Sequence, residues 1–386
     1  MNNPGKCVRL AGAAAMSVAI LLPGAGYAAD LSGPDSMKDA PDAMEHSHGG
    51  NVHSTIPAGV SGAAMVGQGE GMAMYMPMVM GMDGTHIGTN KVSAPAILNT
   101  PNQSGGGPAY LRMVPESMTG QMHMLGATYG VTDAINVMVM GNYTEKDMSM
   151  STYYKSPIPP AAGMPPLVGT RTYTEEGFGD VSVSGLFRLY EDGVNHVHLN
   201  LGMSLPTGSI TQQMTMLTPN SLTPLTYMAM RATYGMQLGT GTYDLLPGLT
   251  YTANKHLWSW GTAYRARIAL DDNSEGYHWG DCHTLTGWAG YTFYPGITAT
   301  ARVAGTTQAK IAGKDPLIFG GMQAANPAWY GGETVNLFGG IEVAGHEFGL
   351  GHTRLAIEAG APVYQNLNGP QMGQDWQLNA VLGVRF

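Results

Sequence analysis

Charge is scarce in this chain. Of its 386 residues, 12% are Asp, Glu, Lys or Arg, against roughly 25% in an ordinary soluble domain. That is too few for a surface solvated on all sides. Long apolar runs are scarce as well, and none follows residue 30. A helical membrane protein, which needs about 20 consecutive apolar residues per span, is therefore excluded. Cysteine is limited to Cys7 and Cys282. Cys7 precedes the apolar stretch LAGAAAMSVAILL (10–22) instead of following it, so it is not a lipoprotein cysteine. Cys282 is then alone after processing, which excludes an internal disulfide and reads as an isolated buried hydrophobe. The formal net charge is −9 with no basic stripe, so nucleic acid is excluded as a partner. No Ser/His/Asp set, phosphate loop or carboxylate pair can be placed, and nothing supports an enzyme or a nucleotide or redox cofactor.

Glycine and methionine are abundant, at 55 and 28 residues. Low charge, many glycines and a mean hydropathy near zero fit a transmembrane β-barrel, whose apolar signal is diluted by alternation. Residues 1–28 read as a secretory signal. Lys6 and Arg9 precede the apolar stretch, and AGYAA (25–29) offers small residues for cleavage. Residues 29–70, rich in Gly, Ala, Ser, Pro and His, read as a flexible periplasmic leader.

From residue 71 to 386 the chain alternates apolar and polar residues in twelve segments, near 71–82, 120–130, 133–143, 177–190, 194–205, 240–253, 256–269, 281–293, 296–309, 333–344, 350–359 and 374–386. Short connections fall at 130–134, 191–195, 254–256, 294–296 and 344–351, and long ones near 83–119, 144–176, 206–239, 270–280, 310–332 and 360–373. An even strand count with short and long connections in alternation is the outer-membrane barrel pattern, with short turns and both chain ends periplasmic. The last segment puts Trp376, Leu378, Ala380, Leu382, Val384 and Phe386 on one face. Its aromatic end resembles the signal read by the barrel assembly machinery.

Faces follow from the period of two. In LWSWGTAYRARIAL (257–270), Trp258 and Trp260 share an apolar face suited to the lipid interface, with Arg265 and Arg267 opposite. The same reading sends Asp180, Arg188, Arg302, Glu342, Arg354 and Glu358 inward, where charges must find partners. Methionine fills every even position from Met72 to Met82: Met72, Met74, Met76, Met78, Met80 and Met82. Met138 and Met140 share a face with Asn136 and Asn142, and Asn against lipid is costly. Met122 and Met124 oppose Leu125, Ala127 and Tyr129. These ten methionines are expected to form an inner wall. Such a wall fills space, suits apolar or aromatic ligands, or binds Cu(I).

Other motifs tempt less. HEFGLGH (346–352) lacks the i, i+4 histidine spacing of a zinc protease and reads as a turn. His196 and His198 share a strand face without a third ligand. GYHWGDCH (276–283) is a weak metal signal. His46, His48 and His53 of the leader, with His86 and His123, are the histidines available to a copper site.

Several segments carry a resemblance: GFGDVSVSGLFRLY (177–190), HLNLGMSLPTGSI (198–210), QLGTGTYDLLPGLTY (237–251), SEGYHWGD (274–281) and IEAGAPVYQNLNGPQMGQDWQL (357–378). YMPMVMGMDGTHIGTNKVS (75–93) and MTGQMHMLGATYGVTD (118–133) add to it. They are similar to outer-membrane transporters of the meta-pathway of phenol degradation family. The resemblance covers most of 71–386 and implies an outer-membrane barrel that passes aromatic compounds. It brings no catalytic or binding residues. The expectation is an all-β, antiparallel barrel of about 12 strands that passes or binds a small apolar or aromatic molecule. The alternatives are a barrel handling Cu(I) or another soft metal through Met and His, and a barrel closed by its own side chains.

Overall fold

The computed structural model describes residues 55–155 and 163–386. The signal at 1–28 and the histidines at 46, 48 and 53 lie outside the described residues. In chain order the strands are β1 (Gly71–Gly88), β2 (Asn90–Val92), β3 (Met113–Thr132), β4 (Ile135–Tyr153), β5 (Leu167–Phe178), β6 (Val181–Glu191), β7 (Asn195–Leu205), β8 (Gln213–Leu217), β9 (Tyr227–Arg231), β10 (Asp244–Lys255), β11 (Trp258–Ala269), β12 (Tyr277–His278), β13 (Cys282–Tyr294), β14 (Ile297–Gln308), β15 (Ala312–Gly313), β16 (Gly332–Ala344) and β17 (Thr353–Arg385). β1, β3, β4, β6, β7, β10, β11, β13, β14, β16 and β17 pair antiparallel, each with the next, and β17 pairs with β1. The ring is therefore closed and leaves no sheet edge.

β17 contributes twice to this ring. Drawn straight, its 33 residues would run roughly 110 Å. Instead the Arg385 N–H donates to His352 O at 3.1 Å. Gln365 and Gln374 exchange hydrogen bonds of 2.9 Å, and Asn379 donates to Glu358 at 2.8 Å. The strand thus doubles back just after Leu367 and supplies two staves, which brings the wall to the expected twelve. Part of the segment near 360–373, read as a loop, is strand for this reason. β5 and β6 both pair with β4 and form one stave interrupted at Gly179 and Asp180.

The five short turns fall where Gly71 and Phe386 meet, and the long connections at the other end. The first hairpins rise higher than expected: β1, β3 and β4 have 18, 20 and 19 residues. Much of 83–119 and 144–176 is accordingly strand. A wall that rises past its apolar belt keeps its ladder but loses the apolar half of the alternation, as Glu145, Lys146 and Asp147 do. The segment 206–239 holds the hairpin β8–β9. Gly345–Phe348 is a single 3-10 turn between β16 and β17, so HEFGLGH does form a turn. Cys282 is free and half-buried at the start of β13.

The two sides of the wall differ in exposure. Leu125 is 66% exposed and Phe386 78%, and Val137, Val139, Met203, Trp258, Trp260, Trp376, Leu378 and Leu382 also lie on the outer surface. Asn136, Met76, Met138, Arg302, Glu342 and Glu358 are buried.

Candidate functional site

Residues 55–70 run inside the barrel near the turn end. The expected flexible leader is corrected for this part: it is bonded to wall residues on six strands. Ile56 N–H donates to Glu342 at 3.1 Å and Gly59 N–H to Glu358 at 3.0 Å. Val66 exchanges hydrogen bonds with Asn136. Gly62 O accepts from His198, Asn200 and Arg265, each at 3.0 Å, and Thr55 O accepts from Trp288 at 3.2 Å. Burying a backbone segment without such partners would cost about 1–3 kcal/mol per orphaned group. Gly62 has φ +62°. At Gly59 a Cβ would overlap the Glu358 carboxylate and the Arg302 guanidinium. Only glycine lets the chain lie this close to the ion pair.

Most of the inward charges meet a charge of opposite sign. Arg302 meets Glu358, Arg354 meets Glu342 at 3.1 Å, and Arg188 meets Glu191. Arg267 lies 4.0 Å from Asp244. Two differ. Arg265 spends its guanidinium on the carbonyls of Ser61 and Gly62, not on an acid. Asp180 accepts from the amides of Gly208 and Thr240 at 2.8 and 2.7 Å and so ties down the long loop between β7 and β10. In both cases backbone brought in from elsewhere in the chain supplied the partner.

The methionines face inward in cross-strand rows. Met76 stands opposite Met124, and Met78 opposite Met122. Met82, Met118 and Met148 form one row across β1, β3 and β4. Met72, Met74 and Met138 lie beside the segment 55–70, and Met76 packs on Ala58. Met78 Sδ accepts from Gln377 at 3.2 Å. Further up, Met80, Met122, Met124 and Met140 wall one side of a cavity of about 670 Å³. Its other side is polar, with Lys146, Asp180 and Arg267.

Above this cavity the loops fold over the barrel. Met113, Met148, Met150, Met214, Met216, Met236 and Met322 cluster with Tyr173, Tyr234 and Tyr277. Tyr234 is edge-on to both Tyr277 and Tyr330. Burial raises the phenol pKa of Tyr277 and Tyr330, which therefore stay neutral. Lys146 holds the 3-10 turn Tyr234–Met236 by donating to Gly235 O at 2.9 Å and Gln237 O at 2.6 Å. Arg231 ties Glu275 and Ile210 together. Sequence reasoning missed Met118, Met148 and Met236. For the first two a signal existed: they keep the parity of Met122 and Met140, in stretches assigned to loops.

The histidines do not join the methionines. His123 sits on the outer face, where its ring nitrogen meets the Tyr75 hydroxyl at 2.7 Å. Strand alternation puts it opposite Met122 and Met124, which corrects its place in a copper site. At His86 the register shifts between Met82 and Thr85. Thr85 is the buried residue there, bonded to Gln323, and His86 packs against Gly373. Among the described residues no three His, Cys, Asp or Glu side chains are grouped to hold a metal.

No protein-family profile and no curated protein matches the chain, so the resemblance carried by its segments stays an expectation. In structure the chain is similar to an outer membrane channel from Pseudomonas putida F1, with a TM-score of 0.50 and 13% identity over 85% of this chain and 99% of that one. It is also similar, at a TM-score of 0.39, to the toluene transporter TodX of P. putida, with 9% identity over 83% of this chain and 90% of that one. The toluene transporter TbuX of Ralstonia pickettii gives 0.39 and 12% over 83% and 90%. At these identities the first likeness concerns the fold alone, and the two at 0.39 carry no argument. The fold is that of an outer-membrane β-barrel.

Proposed function

We propose that this protein is a passive outer-membrane channel for small apolar or aromatic molecules. In this reading the loop end faces the exterior and both chain ends are periplasmic. The outer apolar belt meets lipid, with Trp258, Trp260, Trp376 and Phe386 as its aromatic girdle, and the C-terminal strand docks on the barrel assembly machinery. The observation that carries the reading is the methionine wall of Met80, Met122, Met124 and Met140 along a cavity of about 670 Å³. Thioethers are polarizable and adaptable, and they attract aromatic rings without fixing one orientation. A ligand can slide along such a wall with no deep well to hold it. The segment 55–70 occupies the periplasmic half, so passage to the periplasm requires its displacement. No catalytic step is assigned to any residue.

The test is uptake of a radiolabelled monoaromatic hydrocarbon by cells with an intact lipopolysaccharide layer, with and without this chain. Faster uptake with the chain is expected. Equal uptake of hydrocarbon together with faster entry of sugars would replace this reading with a general polar pore.

A further inference from the structure

A second, smaller cavity lies beneath the loop cap, with a volume of about 210 Å³. Five methionines line it, Met82, Met118, Met148, Met236 and Met372, together with Trp329. Three of these five form the continuous row across β1, β3 and β4. The other two come from the 3-10 turn held by Lys146 and from the turn within β17. The pocket therefore exists only when wall and loops are assembled.

We propose that this pocket binds one neutral single-ring aromatic hydrocarbon. The proposal rests on the channel reading and deepens it by naming a capture site and its ligand class. Size comes first. A dry apolar cavity of about 150 Å³ is enough to bind benzene, so 210 Å³ suits a benzene ring bearing one or two small alkyl groups.

Polarity comes second. Several polar groups at the lining are already engaged within the fold. The Tyr330 hydroxyl donates to Ala324 O at 2.8 Å and accepts from Gly235 N–H at 3.2 Å. Gln371 donates to Gly331 O at 2.7 Å, and Gln323 to Thr85 at 3.1 Å. No lining residue is among those that hold a buried side-chain polar atom without a partner. The lining carries no charged side chain, and an ionised carboxylate in a largely apolar site is strongly disfavoured. The ring itself gains sulfur–aromatic contacts on several sides.

The experiment uses the full processed chain in bicelles, with ¹³C-methyl methionine, titrated with toluene, with benzoate and with Ag⁺. Saturable toluene shifts confined to the methyls of the five lining methionines are expected, with benzoate at least about tenfold weaker. Ala324→Leu, which narrows the cavity, should weaken toluene binding while the barrel keeps its heat-modifiable gel migration. Toluene shifts at Met80, Met122, Met124 and Met140 alone would overturn the pocket and leave the channel reading standing. Shifts at neither set would count against both. Stoichiometric Ag⁺ shifts at these five methyls with no toluene response would assign the pocket to a soft metal instead.

Discussion

Arg302 grips Glu358 with two hydrogen bonds, Nε to Oε2 at 3.1 Å and NH2 to Oε1, and the same Oε1 accepts the Gly59 amide at 3.0 Å. Wall and inner segment are thus joined at one carboxylate. The pair is buried, and Arg302 also lies 3.8 Å above the Phe338 ring. Replacing Glu358 by Ala leaves a buried guanidinium without its anion, which costs about 3–5 kcal/mol. Glu358→Ala should lower the urea midpoint of unfolding and speed hydrogen exchange at Gly59. The pair replacement Arg302→Met with Glu358→Leu should regain most of the stability but not the protection of Gly59. Gly59 protection unchanged from the parent in both variants would show that the segment is held without this carboxylate.

Gly59 itself offers a sharper test of the inner segment. A valine there would overlap Glu358 and Arg302. Both side chains are buried and locked in their ion pair, so the segment should leave. In planar bilayers Gly59→Val, and removal of 55–68, should both raise single-channel conductance. Unchanged conductance in both would mean that the lumen is limited elsewhere.

The methionine wall is tested by separating shape from polarity. Met to Leu roughly conserves volume and usually costs under about 1.5 kcal/mol. Met80, Met122, Met124 and Met140 changed together to Leu should leave hydrocarbon uptake within about twofold of the parent, whereas Met124→Asp should reduce it severely. A large loss in the leucine variant would show that sulfur chemistry, and not apolarity, is what the wall supplies.

Register predicts opposite fates for neighbours. Leu125 is exposed on the outer face, while Met124 beside it faces the lumen. Arg on the lipid side costs up to about 2–4 kcal/mol depending on depth. Leu125→Arg should therefore lower barrel stability by that order, and Met124→Arg by much less. Urea titrations in lipid vesicles would read the difference.

Asp180 predicts loop behaviour. It bonds the amides of Gly208 and Thr240, and the Thr240 hydroxyl at 3.0 Å. Asp180→Ala should make the connection between β7 and β10 more sensitive to protease on intact cells, while the barrel still migrates as folded. Unaltered cleavage would place the loop's hold at Lys146 and Arg231 instead.

Sequence by itself determined the wall. Alternation of apolar and polar residues has the period of the pleat, so it stated which residues face out and which face in, down to Leu125 against Met124 and Trp258 against Arg265. It could do so because a lipid-facing surface tolerates so few residue types. The rule weakened where the wall leaves its apolar belt: Met118 and Met148, which complete a row with Met82, were hidden among polar residues that still form strand. Sequence could not state what fills the ring. Partners such as Gly62 O for Arg265 and Gly208 N–H for Asp180 are backbone groups, which carry no side-chain signature. The composition of residues 55–70 resembles a linker because glycine and alanine are what fit beside a crowded inner wall. Only closure of the barrel, which brings residues about 300 positions apart such as Gly59 and Glu358 into contact, decided that this stretch lies inside.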